Sequence, residues 1–397
     1  MHKKSLVEEM FKNKSKNTIK NYRATVHKYE QFHDTSIEEL VQEALAEQSA
    51  RVPEHELKIY NRIIDFQDYL IAEGYVYKTI VLMVNRIRTI YRRSRVTLPY
   101  FPPLDAKHIK RNDFIEYHEV ITKDEIRLAL PYFKKNFQAR IMLMATGGYS
   151  LEETRTLTVK QFLEELYPYH KSHDPNKAMK KIAAQDNIIW VAKMLRVKTQ
   201  KPYYGMCNPE TTQAIAKSWI DRNITDIDIP LFRQNKNWVS NHMGKINDML
   251  GFGKAGGFRR FTPHTLRRFN ATNLSGADLT SEEQMKVRMI DELQGRSMTD
   301  TQDRYIKTNP IKQKLLYAKV MNNVSLFNQY TYEIFDGEVV IHRVDPQKKI
   351  RNLADENKKL KEEVKYQQNA DNELKKYIQS VGKDTFEERL SKLLSEL

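Results

Sequence analysis

Apolar residues recur at helical spacing through the first hundred positions. Ile19, Tyr22, Val26 and Tyr29 follow the N-cap types of 15–18 at steps of three and four. Leu57, Tyr60, Ile63, Ile64 and Ile71 predict a second helix over 56–72, stopping near Gly74. Ile80, Val84, Ile87 and Ile90 predict a third over 79–91. The pattern breaks at Leu98-Pro99-Tyr100-Phe101-Pro102-Pro103. Proline fixes φ and removes backbone donors, so an extended linker is expected there, with a domain boundary between 97 and 120.

Helical patterning resumes at Thr122, which with Glu125 three residues on forms a capping-box signature. An apolar helix is expected over 136–145, a turn at Thr146-Gly147-Gly148-Tyr149-Ser150, a short helix over 151–157 and another over 211–222. Between 187 and 203 the pattern differs. Ile188, Ile189, Trp190 and Val191, then Leu195, Arg196 and Val197, predict two short strands, with Lys198 to Lys201 in the turn or return strand. Gly251 to Gly257 lacks the strand and motif context of a nucleotide site and reads as a loop. Asp336-Gly337 between apolar runs predicts a β-hairpin. From about 349 a heptad-like seam begins: Ile350, Leu353, Asn357, Leu360, Val364, Gln367, Asp371, Leu374 and Ile378. It predicts a long helix that either self-associates as a coiled coil or lies singly on the body. The expected fold class is mainly α with a small β-sheet (α+β). Its expected parts are a helical domain over 1–105, a mixed domain over 115–325, a hairpin over 328–345 and the tail over 349–397.

Composition adds a partner class. The 397 residues exceed one ordinary core. Hydrophobic residues are 40% of the chain, yet no apolar run approaches the roughly 18 residues of a membrane span. Met1-His2-Lys3-Lys4-Ser5 leads into a charged amphipathic stretch rather than a signal-peptide core. Cys207 is the single cysteine, which excludes an internal disulfide and fits a reduced, cytoplasmic compartment. His170 and His173 lie close together, but no third ligand has supporting spacing, so no metal is expected. The formal charge of +15 favours a polyanion, nucleic acid first. Arg86, Arg88, Arg92, Arg93 and Arg95 crowd the end of the third helix, as a phosphate-facing surface or as a solvated helix face.

The densest local signal is Thr262-Pro263-His264-Thr265-Leu266-Arg267-Arg268-Phe269-Asn270-Ala271-Thr272-Asn273-Leu274. Gln294-Gly295-Arg296 follows, and Tyr305 stands nine residues beyond Arg296. His264 and Arg267 share a helix face. Arginine offers a planar fork to phosphate oxygens, histidine moves protons near neutral pH, and a tyrosine hydroxyl can attack phosphorus.

These boxes, in this order, resemble the tyrosine recombinase (phage integrase) family. The stretch from His264 to Leu274 is similar to its HxLRHxFAT box, and Gln294-Gly295-Arg296 with Tyr305 to its LGH box and nucleophile. Ser15, Thr18 and Tyr22 resemble the start of its helical core-binding (SAM-like) domain, and 121–125 the start of its catalytic domain. The resemblance runs from about 10 to 315. It implies that Tyr305 attacks the scissile phosphate to give a 3′-phosphotyrosyl link, without cofactor or metal. Arg267 would bind non-bridging oxygens, His264 would assist proton transfer, and Lys198, or else Lys201, would protonate the leaving 5′-oxygen. Arg268, Lys201 and the arginines of 86–95 would contact double-stranded DNA, with four protomers on two sites.

Two departures stand out. The family's first arginine belongs in a TGxRxxE box, which here has Tyr149 or Ser150 at that place. Arg155 is the nearest candidate to replace it. Arg296 stands where the family has His or Trp. The resemblance therefore implies site-specific recombination, as in integration of a mobile element. A catalytically weak DNA-binding or bridging protein of the same fold is the alternative, and a telomere resolvase or type IB topoisomerase-like enzyme the next.

Overall fold

The computed structural model describes residues 6–105, 107, 109–110, 115–276, 284–296 and 309–345, and parts of 359–380. Tyr305 lies outside the described residues, as do Ile350, Leu353, Asn357, Asp371 and Leu374 of the seam. The fold is mainly helical with small antiparallel sheets. It divides into two compact units, Met1–Glu116 with Lys254–Phe258, and Tyr117–Gly253 with Arg259–Leu397.

The first unit holds α1 (Leu6–Met10), α2 (Lys16–His33), α3 (Ile37–Ser49), α4 (Lys58–Ala72) and α5 (Tyr77–Arg93). Ser15 caps α2 as its pattern predicts, its Oγ accepting the Thr18 amide at 3.2 Å. Tyr29, Phe66 and Tyr91 fill the centre, with the Tyr29 ring edge-on to Phe66 and its hydroxyl 3.2 Å from that of Tyr91. The proline-rich stretch after α5 is extended but not a free linker. Val96 and Ile109 are buried, Leu98 and Leu104 pack on the same core, and Phe101 stacks on Tyr60. Proline dictates the path, and the apolar residues around and between the prolines decide that it docks.

The second unit opens with α6 (Lys123–Ala129), where Thr122 and Glu125 form the expected capping box. Next comes α7 (Lys135–Thr146), buried nearly all round between two apolar clusters. The short helices α8 (Leu151–Thr156), α9 (Val159–Glu165), α10 (Tyr167–His170) and α11 (Pro175–Ala183) follow. Strands β1 (Trp190–Leu195) and β2 (Pro202–Cys207) pair antiparallel, from Trp190 opposite Cys207 to Leu195 opposite Pro202. Helix α12 (Pro209–Lys217) begins earlier and ends sooner than its apolar pattern suggests, because Asn208 caps it and Pro209 sets its first turn. Then come α13 (Lys236–Met249), α14 (Pro263–Leu274), α15 (Val287–Leu293) and α16 (Pro310–Val320). The glycine-rich 251–257 stretch is not all loop: Lys254–Ala255 (β3) and Phe258–Arg259 (β4) make a minimal hairpin, which through Phe258 counts with the first unit. The Asp336-Gly337 hairpin forms as expected, from β5 (Tyr330–Phe335) and β6 (Glu338–Arg343). Among the described residues no helix is long and apolar enough to cross a membrane.

Candidate functional site

Helix α14 starts on a rigid N-terminus. The Thr262 and Thr265 side chains cap one another's backbone amides, and Pro263 supplies the first-turn φ. Four residues into the helix Arg267 turns inward, its side chain 8% exposed. Its Nη1 donates to the Gly148 carbonyl at 2.8 Å and pairs with Glu153 Oε2 at 3.1 Å, and its Nη2 donates to the Gln294 carbonyl. Asn270, one turn on, donates to the Thr146 carbonyl and accepts from Gln294 Nε2, both at 2.8 Å. One helix thus binds the 146–150 turn and the 294–296 segment together.

Glycine is required at two of these crossings. A Cβ on Gly148, at φ +68°, would meet Asn270 Oδ1 at 2.4 Å. One on Gly295, at φ +59°, would meet the Tyr203 ring at 2.7 Å. Ser150 caps α8 in a capping box with Glu153, which places the Glu153 carboxylate beside Arg267.

A second guanidinium reaches the same spot from the β-hairpin. Arg196 follows β1 directly, and its Nη1 donates to the Gln294 carbonyl at 2.6 Å, the oxygen that also serves Arg267. The same nitrogen stands 3.8 Å from Glu153 Oε1. Arg296 adds a third cation, paired with Asp291 at 3.2 Å and 43% exposed. Tyr203, on β2, stands in the field of Glu153, Arg267 and Arg196. Burial, more than these neighbours, raises the pKa of its hydroxyl. That oxygen is enclosed and stays protonated, so Tyr203 is no nucleophile.

His264 sits at the exposed edge of this cluster. Partial burial first, then the charges of Arg268, Arg267 and Arg296, hold its pKa below the ordinary 6.5. The imidazole is therefore neutral at pH 7. A histidine depressed in the folded state contributes stability that is full above the unfolded value near 6.5 and declines as pH falls through it. His264→Gln should flatten that part of the stability–pH curve between roughly pH 5 and 7. A bound phosphate should move the His264 titration, followed by NMR, upward. An unmoved midpoint would place the anion elsewhere.

The structure brings His264, Arg267, Arg268 and Arg296 into one electrostatic neighbourhood. Lys198 is exposed in the β1–β2 turn, two residues from Arg196. Lys201 is half-buried at the start of the return strand, its carbonyl accepting the Arg196 amide. Arg155 is not brought to the cluster by any hydrogen bond or ion pair in the described residues. It is ion-paired with Glu152 at 2.7 Å, and its charge is felt by buried Arg140. In the first unit, three of the five arginines have internal tasks. Arg86 donates to Thr25, Arg88 stacks over Phe101 and Arg93 over Phe11, while Arg92 and Arg95 are exposed. His170 is a core residue bonded to the Leu163 carbonyl. Among the described residues no group of three His, Cys, Asp or Glu is placed to hold a metal. Sequence reasoning missed Arg196 and Glu153. Neither belongs to a periodic pattern; the local signals for Glu153 are its capping-box distance from Ser150 and its place at the end of the box that starts at Thr146.

The described site is thus a cationic cluster of Arg267, Arg196 and Arg296 with the His264 imidazole beside them and the Glu153 and Asp291 carboxylates between them, on a mainly helical α+β fold. No family model and no curated protein matches the sequence. Among solved structures the chain is similar to the XerA recombinase, at 16% identity and a TM-score of 0.32, over 78% of this chain and 95% of that one. It is also similar to the Tn1549 transposon integrase in complex with transposon right end DNA (14%, TM-score 0.47, 77% and 96%). A third is the integrase from mycobacterium phage Brujita (13%, TM-score 0.32, 83% and 93%). At these identities and scores the likeness is one of chain outline, and the chemistry that follows is taken from this chain's own side chains.

Proposed function

We propose that this chain is a site-specific DNA recombinase that grips a scissile phosphate with Arg267, His264 and Arg296 and attacks it with Tyr305. The carrying observation is the charge imbalance of the cluster: Arg267, Arg196 and Arg296 gather where, among the described residues, Glu153 and Asp291 are the carboxylates paired with them. A half-buried excess of guanidinium favours an anion, and the arginine fork matches the non-bridging oxygens of a phosphodiester. Tyr305 enters through its spacing from Arg296. In the step, the Tyr305 Oη–H passes its proton to the neutral His264 imidazole and its oxygen forms a bond to phosphorus. The bond from phosphorus to the 5′-oxygen breaks, and that oxygen takes a proton, for which Lys198 stands in the adjoining turn. The phosphotyrosyl ester keeps the energy of the broken bond, so a 5′-hydroxyl of another strand rejoins the DNA by the reverse step without cofactor. Guanidinia fixed before the reaction stabilise the charge that grows on the phosphate oxygens. Integration of a mobile element by four protomers on two duplex sites, with the tail from 349 supporting self-association, is the setting in which this chemistry fits.

The alternative, a DNA-binding or bridging protein without strand cleavage, is favoured by one observation. Tyr149 is buried in the core and Ser150 is committed to its cap, so neither place in that box offers a cation. Duplexes selected by the full chain from a random pool, nicked at tiled positions so that a cleaved fragment diffuses away, distinguish the two. Wild type should leave an SDS-resistant protein–DNA adduct and Tyr305→Phe none, with equal duplex affinity. Tight binding without an adduct from wild type would leave the bridging protein standing.

A further inference from the structure

We propose that Arg196, carried by the β1–β2 turn, is the second guanidinium that grips the phosphate, in place of the arginine missing at Tyr149-Ser150. This rests on the pocket being a phosphodiester site, as set out above. Each rival is occupied. Tyr149 is 1% exposed, and its ring lies over Gly147 and Gly205. Ser150 accepts the Glu153 amide. Arg155 is bound to Glu152.

Arg196 has the opposite character. Its side chain is 20% exposed, so it is neither lost in the core nor free in solvent. Of its five side-chain N–H donors, one is used in a hydrogen bond among the described residues, to the Gln294 carbonyl. Arg267 spends three bonds on Gly148, Glu153 and Gln294. The two guanidinia flank one carboxylate, Arg267 on Oε2 and Arg196 toward Oε1. Two cations sharing one acceptor and one carboxylate repel each other until an anion joins them.

The backbone of Arg196 is held as firmly as a strand residue. Its amide donates to the Lys201 carbonyl at 2.8 Å, and its carbonyl accepts from Gln200 at 2.7 Å and Thr199 at 3.2 Å. Leu195 opposite Pro202 closes the ladder one residue before it. The guanidinium therefore projects from the rigid mouth of the hairpin, while Lys198 occupies the exposed turn. A phosphodiester with two non-bridging oxygens fits, one oxygen facing Arg267 and the other facing Arg196.

The test compares the full chain as wild type, Arg196→Gln, Arg196→Lys and Arg155→Gln. Inorganic phosphate is the first probe, read as the concentration that raises the thermal midpoint. Arg196→Gln should need about ten-fold more phosphate than wild type, Arg196→Lys less than that, and Arg155→Gln no more. The second probe is the selected duplex. Arg196→Gln should slow adduct formation by roughly 10²–10³-fold. With an uncharged methylphosphonate at the cleaved position the deficit should shrink to within a few-fold, because less charge remains to be neutralised. Unchanged phosphate binding in Arg196→Gln, loss in Arg155→Gln instead, or an equal deficit on both duplexes would overturn the assignment. Phosphate binding that needs Arg196, in a wild type that forms no adduct, would sink strand transfer and leave Arg196 as the phosphate grip.

Discussion

Arg267→Ala should abolish adduct formation and destabilise the second unit in the same stroke. The guanidinium joins α14 to the 146–150 turn, to Glu153 and to the 294–296 segment. Its removal leaves the Glu153 carboxylate, 2% exposed, to Arg196 at 3.8 Å and the Ser150 amide at 2.7 Å among the described residues, with Tyr203 nearby. Breaking one side of a buried pair costs about 3–5 kcal/mol. Calorimetry should show that loss, and the suicide-substrate assay should show no covalent product. Arg267→Lys should recover part of the stability, since a cation returns to Glu153, but little of the cleavage, since one ammonium cannot replace the fork. A fully stable Arg267→Ala would mean that water reaches Glu153 and that the pocket is more open than described.

Glu210→Ala should be as damaging to the fold while lying outside the cationic cluster. Glu210 stands in the first turn of α12 and is 5% exposed. Its carboxylate accepts the backbone amides of Leu326, Phe327 and Asn328 and the side-chain amides of Asn208 and Asn328. The amides of 326–328 belong to the segment that leads into β5, so the carboxylate moors the β5–β6 hairpin to the body. Alanine would strand three backbone donors at roughly 1–3 kcal/mol each, so a loss of at least ~3 kcal/mol is expected. Hydrogen exchange should show the protection of residues 326–328 collapse, whereas Glu210→Gln, which keeps one carbonyl oxygen, should lose less. Unchanged protection in the alanine variant would show that other contacts moor the segment.

Much of the secondary structure was legible because it is local. A helix with a three-to-four residue apolar repeat, such as α2, α4 or α5, needs only neighbouring residues to show its face. The Thr122–Glu125 capping box and the Asp336-Gly337 turn are just as local, as are the glycines at 147 and 148. Even α3, which the pattern reading passed over, carries the signals of a Ser36–Glu39 capping box and buried Ile37, Leu40, Val41 and Ala44. The candidate site was legible in part for the same reason. His264 and Arg267 sit three apart on one helix, and their chemistry can be read from spacing.

What the sequence by itself determined is therefore the helices with a regular apolar repeat, the hairpin at Asp336-Gly337, the basic surplus, and the candidate chemistry of His264, Arg267 and Arg296. Only the tertiary structure decided which cations share a site. Arg196 meets the Gln294 carbonyl across 98 positions of chain, and Glu153 meets Arg267 across 114. Such pairings come from how α7, α14 and the β1–β2 hairpin stack, and no periodicity records them. Tertiary packing likewise turned Tyr149 into core and set Arg88 and Arg93 on aromatic rings. The net charge counted every arginine alike; burial and pairing separated those that hold the fold from those left exposed.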